Sequence, residues 1–327
     1  MDIKALTYHK RAENYSDCQD CFGINTQNNR IAISDGMTQS IFPQWWAKIL
    51  VDSFLDNGKI PFDNILPFQI QWQEMVKTEI ENQETEGKNP WLLRDIFEER
   101  KGAGATICGF EWTDKGWTCH CLGDSCLIKI NNDYSIEIIT SQQGQFDNHP
   151  DYLDSFTDGR GFPVTKYGDF NLKAILLVTD PFAELFQIHQ EDKEFVKARY
   201  EELCKVFSQE SYVQLVENWR DQFNMHNDDS TIVLLTNFDT IDIKTKLEIT
   251  LDTLCLKEQE ELISNNFATE ENKKISQSER NSIEDEFRKS TEKLLSLSTA
   301  EDRQSHTKLW SFITPYIKPL FDIFRKQ

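Results

Sequence analysis

The 327-residue sequence has no run approaching the ~18–20 consecutive apolar residues that a membrane-spanning helix needs, so no transmembrane segment is expected. Its opening residues, Met1-Asp2-Ile3-Lys4, show no charged region leading into an apolar stretch, and no secretory signal is expected. Positive charge is scarce: 35 Lys and Arg stand against 55 Asp and Glu, a formal charge of -20. No dense Lys/Arg cluster interrupts it, which argues against a nucleic-acid-binding surface. Also missing are a Gly-x-Ser-x-Gly elbow, a Gly-Lys-Ser/Thr phosphate loop and a His-x-x-x-His pair among the 6 histidines. No cysteine is followed by a phosphate-cradling loop that ends in Arg. Nucleophilic serine and cysteine mechanisms, P-loop chemistry and helical His-pair zinc sites are therefore set aside.

What is present is a globular composition, 39% hydrophobic and 12% aromatic. The 8 cysteines, with no export signal, read as reduced thiols in a cytoplasmic protein. Cys18 and Cys21 have the spacing of half a zinc site, but Cys119 and Cys121 share one face of an expected strand. Small buried residues is the better reading of them.

Residues 1–238 alternate strand-like and helix-like segments. A hairpin is expected over 20–25 and 30–34, helices over 40–57, 68–84 and 90–100, and a four-strand meander over 105–140. Residues 142–170, rich in Gly, Asp, Asn and Pro, read as a long functional loop. A strand at 174–179, helices over 181–190, 192–207 and 209–222, and a strand at 230–236 follow. Together these predict an α+β layered sandwich. Residues 239–327 read as a helical or partly disordered C-terminal arm. It has a stripe of Ile283, Phe287, Leu294 and Leu295 and an aromatic tail at 310–324, suited to docking on a partner or back on its own domain.

Four aspartates sit at the ends of apolar, strand-like runs: Asp35 after Ile31-Ala32-Ile33-Ser34, Asp124 after Cys119-His120-Cys121-Leu122-Gly123, Asp180 after 174–179, and Asp228 before 230–235. Singly, each reads as a turn or cap residue. Together on one rim they would repel one another unless a cation neutralised them, and hard divalent ions prefer such oxygen ligands.

The order of Cys18-Gln19-Asp20, Ser34-Asp35-Gly36-Met37, Gly102-Ala103-Gly104-Ala105-Thr106, Gly123-Asp124-Ser125, Thr179-Asp180 and Asp228-Asp229-Ser230-Thr231 resembles the motifs of the metal-dependent type 2C serine/threonine protein phosphatases (the PPM family), in a bacterial form. The resemblance covers roughly residues 5–237. It implies a four-layer αββα sandwich, two antiparallel sheets flanked by helices, with two or three Mn²⁺ or Mg²⁺ ions at one end. It further implies that Asp35 bridges two ions, that Gly36 offers its carbonyl, and that Asp180 and Asp228 complete one shell. Asp124 would serve a third ion and Asp20 would orient water. The implied reaction is hydrolysis of phosphoserine or phosphothreonine in a phosphoprotein by water bridging two metals.

Three positions depart from the family pattern: Pro181 stands where Gly is usual, and Tyr15 and Cys126 stand where arginines are common. Arg160, between Gly159 and Gly161, is the first candidate for the missing phosphate anchor, ahead of Arg11 and Lys166. The alternative is a degenerate member that binds a phosphoprotein or regulatory partner without turnover.

Overall fold

Two sheets packed face to face, each with helices on its outer side, make up the computed structural model of the chain, which describes residues 1–38, 40–142, 144, 150–238 and 250–253. The strands are β1 (Asp2–Tyr8), β2 (Cys21–Asn25), β3 (Arg30–Ser34), β4 (Gly104–Ala105), β5 (Ile107–Thr113), β6 (Gly116–Leu122), β7 (Cys126–Ile130), β8 (Ile136–Ile139), β9 (Leu153–Asp154), β10 (Val164–Gly168), β11 (Ala174–Val178), β12 (Ser230–Thr236) and β13 (Thr250–Thr253). The helices are α1 (Pro43–Asn57), α2 (Leu66–Thr85), α3 (Trp91–Glu98), α4 (Asp180–Ile188), α5 (Lys193–Lys205) and α6 (Gln209–Phe223). One sheet has the order β13-β1-β12-β11-β7-β8, the other β10-β6-β5-β3-β2, and β4 pairs with β9 apart from both. Both large sheets are antiparallel except where β13 runs parallel to β1.

The layers follow from the period of two along each strand, which sends successive side chains to opposite faces. In β12, Val233 and Leu235 enter the core between the sheets, whereas Ile232 and Leu234 pack with Phe182, Phe186, Tyr212 and Trp219 of α4 and α6. In β3, Ile31 and Ile33 enter the central core while Ala32 faces Trp46, Leu50 and Phe54 of α1. Strands apolar on both faces thus need cover on both sides, and the α+β sandwich expected from the sequence is the observed architecture.

Three local expectations change. The segment 105–140 is not one meander: β5 pairs with β6 in one sheet, whereas β7 and β8 belong to the other. Gly123 makes the switch at φ 93°, and a Cβ there would stand 2.4 Å from Asp151 O, so only glycine fits. The expected long loop at 142–170 contains β9 and β10, and β10 closes the edge of its sheet against β6. The N-terminal β1 pairs with β12 along its whole length, Asp2 with Thr236 through Tyr8 with Ser230.

All described residues lie in the first compact unit, Met1–Leu262. Except for β13, the expected C-terminal arm, with its stripe and aromatic tail, lies outside the described residues.

Candidate metal centre

Each strand-end aspartate is held by backbone geometry that the neighbouring sequence enforces. Asp35 follows β3, and the Gly102–Thr106 segment, which resembles a nucleotide loop only superficially, is its strut. Thr106 N–H donates to Asp35 O at 2.9 Å, Asp35 N–H donates to Thr106 Oγ1 at 3.3 Å, and Thr106 Oγ1 lies 2.6 Å from Ser125 Oγ beside Asp124. Gly36 donates to Gln19 O at 3.2 Å and forms a bridge with Ala105. A Cβ on Gly36 would lie 2.8–2.9 Å from Pro43 atoms, so the start of α1 leaves room only for glycine.

Asp180 is the first residue of α4, after the N-cap Thr179. Pro181 therefore falls in the first helical turn, where its N–H would have no intrahelical partner anyway. The departure from the family pattern is locally harmless. The positive end of the α4 dipole also favours the Asp180 carboxylate.

Asp20 and Asp228 are joined by a hydrogen-bonded web at the start of β12. Thr179 Oγ1 donates to Asp20 Oδ2 at 2.9 Å and accepts from Thr231 N–H at 3.0 Å. Asp229 accepts from Gln19 N–H at 2.7 Å and Lys10 N–H at 3.0 Å, fastening both ends of the 10–19 segment to β12. Asp228 Oδ1 accepts from Asp229 N–H at 2.9 Å and lies 3.5 Å from Lys10 Nζ. Behind it the buried Arg220 donates to Asp228 O at 2.6 Å and pairs with Glu217 at 2.9 Å.

The structure brings Asp20, Asp35, Asp124, Asp180 and Asp228 into mutual electrostatic range. Loss of surrounding water raises Asp35 well above the carboxylate range, and the charges of Asp20, Asp180, Asp124 and Asp228 push it further. Asp180 is raised in the same way, first by burial and then by Asp124, Asp228 and Asp20. Asp20 is raised by burial and Asp229, against the hydrogen bonds from Thr231 and Thr179. Lys10 is raised: its partial burial works against the charge, and Asp228, Asp229 and Glu13 outweigh it.

The residues fit a divalent cation on their own terms. Asp20 is 4% exposed, and its Oδ1 is buried with no hydrogen-bond partner. A buried oxygen of this kind is costly unless a ligand or an ion-held water satisfies it. The surrounding donors are hard oxygens. Asp180, Asp228 and His226 also hold ligand atoms within 4.8 Å of one another.

The sequence-based anchor candidates are engaged elsewhere. Arg160 donates to Pro150 O at 2.6 Å and pairs with Asp151 at 3.8 Å, within its own loop. Arg11 pairs with Glu217 and Asp221, and Lys166 stands exposed on β10. Tyr15 hydrogen-bonds Gln209, and Cys126 is buried under the helices of the β12 sheet. Sequence reasoning missed Lys10, Asp229, Arg220 and His226, each tied to the aspartates across the fold. The Asp228-Asp229 doublet was the one local signal.

The three thiols of Cys108, Cys119 and Cys121 meet between the sheets at Sγ–Sγ distances of 3.3–3.8 Å. Burial raises Cys108 and Cys119, and Cys121 lies 3.3 Å from Ile139 O, all three within the apolar core between the sheets.

No protein-family model and no curated protein matches the chain. Among solved structures it is similar to the serine/threonine phosphatase Stp1 from Staphylococcus aureus, at 18% identity over 72% of this chain and 94% of that one, TM-score 0.49. It is similar to a bacterial serine phosphatase, at 19% identity over 72% and 96%, TM-score 0.45. It is also similar to the catalytic domain of the serine/threonine phosphatase PstP in complex with 2 manganese ions, at 14% identity over 71% and 96%, TM-score 0.42. At such identities and scores the functional reading rests on this chain's own residues.

Proposed function

We propose that the chain is a metal-dependent protein phosphatase that hydrolyses phosphoserine or phosphothreonine in proteins, using Mn²⁺ or Mg²⁺. One observation carries the reading. Five aspartates from five separated segments share one cluster, where burial and mutual repulsion favour the acid forms of Asp20, Asp35 and Asp180 in the absence of a cation. Asp35, the Gly36 carbonyl, Asp180 and Asp228 would hold two ions, with Asp124 serving a third and Asp20 orienting water through its unpartnered Oδ1. Bound cations supply Lewis acidity and make a ligated water more acidic. The protein's own part is to keep these carboxylates fixed, and the Thr106, Thr179 and Arg220 contacts do so. Lys10, beside Asp228, is better placed than Arg160 to meet phosphoryl oxygens.

A second reading is favoured by the same lysine. An ammonium 3.5 Å from Asp228 partly replaces a cation, as a binding module without turnover would allow. The two readings separate in one assay, Mn²⁺-dependent phosphate release from a phosphothreonine peptide by wild type and Asp228→Asn. The phosphatase reading expects wild-type turnover that the variant lacks. A folded wild type without turnover would favour the binding module.

A further inference from the structure

We infer that His226 is a nitrogen donor to the cation held between Asp180 and Asp228, and that it biases this position towards borderline transition-metal ions over Mg²⁺. The inference rests on the proposed metal centre and adds a ligand that the strand-end aspartates alone do not supply. His226 lies in the short connection between α6 and β12. Asn224 ends α6 in the left-handed conformation, φ 52°, and Met225 N–H returns to Trp219 O at 3.3 Å. The Met225 side chain is buried, 5% exposed, and so anchors the connection. His226, the next residue, faces the start of α4, its Nδ1 4.0 Å from Asp180 Oδ2. Two residues later Asp228 is fixed by Asp229 N–H and the Arg220 guanidinium.

Nitrogen and oxygen donors bind such ions at about 2.0–2.2 Å, so two donors of one ion can stand up to roughly 4.3 Å apart. The 4.0 Å separation falls inside that span. The third donor, a carboxylate oxygen of Asp228, completes a group within 4.8 Å. A second observation lies in the same cluster of acids: Asp20 Oδ1 is buried with no hydrogen-bond partner, on a side chain whose charge acts on Asp180. Imidazole suits Zn, Fe, Ni and related ions, whereas Mg²⁺ prefers carboxylate, carbonyl and water. A mixed nitrogen and oxygen set therefore discriminates where carboxylates alone would not. His226 is 53% exposed at its side chain, so its replacement leaves the packed core untouched.

The test is calorimetric titration of the full chain with Co²⁺ and with Mg²⁺, for wild type, His226→Ala and Asp228→Asn, alongside proton NMR of the Co²⁺-loaded protein. His226→Ala is expected to weaken Co²⁺ roughly tenfold while changing Mg²⁺ less than about twofold. The wild-type spectrum should contain a strongly shifted exchangeable imidazole N–H resonance that is lost in His226→Ala. Equal Co²⁺ affinity in wild type and His226→Ala, or no such resonance, overturns the inference while Asp228→Asn still reports on the centre itself. Co²⁺ ligation by His226 without phosphopeptide hydrolysis would instead sink the phosphatase reading alone. A wild type that binds neither ion overturns both.

Discussion

Replacing Gly36 with alanine perturbs the centre without touching a carboxylate. The added Cβ would stand 2.8 Å from Pro43 C, 2.8 Å from Pro43 Cβ and 2.9 Å from Pro43 O, against 3.4 Å for an ordinary contact. Two of these are backbone atoms at the first residue of α1, so no rotamer change relieves the clash. Either the helix start or the Asp35-Gly36 segment must move by about half an ångström. Overpacking of this kind costs about 1–3 kcal/mol. For a unit of roughly 250 residues each kcal/mol lowers Tm by about 2–4 °C, giving a fall of about 2–12 °C. Because Gly36 N–H is bonded to Gln19 O, next to Asp20, and Asp35 precedes it, the same shift should misplace two acids and weaken Mn²⁺ binding. Thermal unfolding and Mn²⁺ calorimetry measure the two effects. A variant within about 1 °C of wild type and with unchanged Mn²⁺ affinity would refute the packing reasoning.

Two further outcomes are expected. Arg220→Met removes the donors to Asp228 O and Ser230 Oγ and leaves Glu217 without its buried partner. The loss should be about 3 kcal/mol, the low end for a broken buried pair because Glu217 keeps contact with water and Arg11, read by urea unfolding. Unchanged stability would show that the web does not brace Asp228. The second outcome concerns pH. Asp20, Asp35 and Asp180 are raised in the folded state, so the folded chain binds protons the unfolded chain has released. Their contribution is fully present below about pH 4, the unfolded carboxylate range, and is lost as pH rises through their folded values. In EDTA the protein should therefore have a higher Tm at pH 5 than at pH 7.5, and Mn²⁺ should narrow the gap. A Tm in EDTA that rises over that interval would contradict the proposed charge crowding.

Much of the fold was legible because strands such as 230–236 are apolar on both faces and helices such as α6 have clear starts; Ser208 caps it as a serine before a helix should. The sheet switch was not legible, because Gly123-Asp124 reads equally well as a hairpin turn. Only the packing of Thr106 and Asp151 around Gly123 decides it. The chain's first strand was missed since β1 gains its definition from β12, more than 220 residues away. At the site, carboxylates ending apolar runs announce themselves, whereas their partners do not. Lys10 reaches Asp228 across 218 residues, and His226 sits in the short connection between α6 and β12, which has no periodic pattern. The flanking glycines of Arg160 suggest a free loop arginine, and they carry no sign of its contacts with Pro150 O and Asp151 within the loop.

The most direct test of the account is the number of Mn²⁺ ions bound at equilibrium by the metal-stripped, folded chain, measured by dialysis for wild type and Asp35→Asn. The clustered aspartates predict at least two ions per wild-type chain and a clear loss when Asp35 can no longer bridge. A folded wild type that binds none, or an Asp35→Asn chain that binds as many, would contradict it.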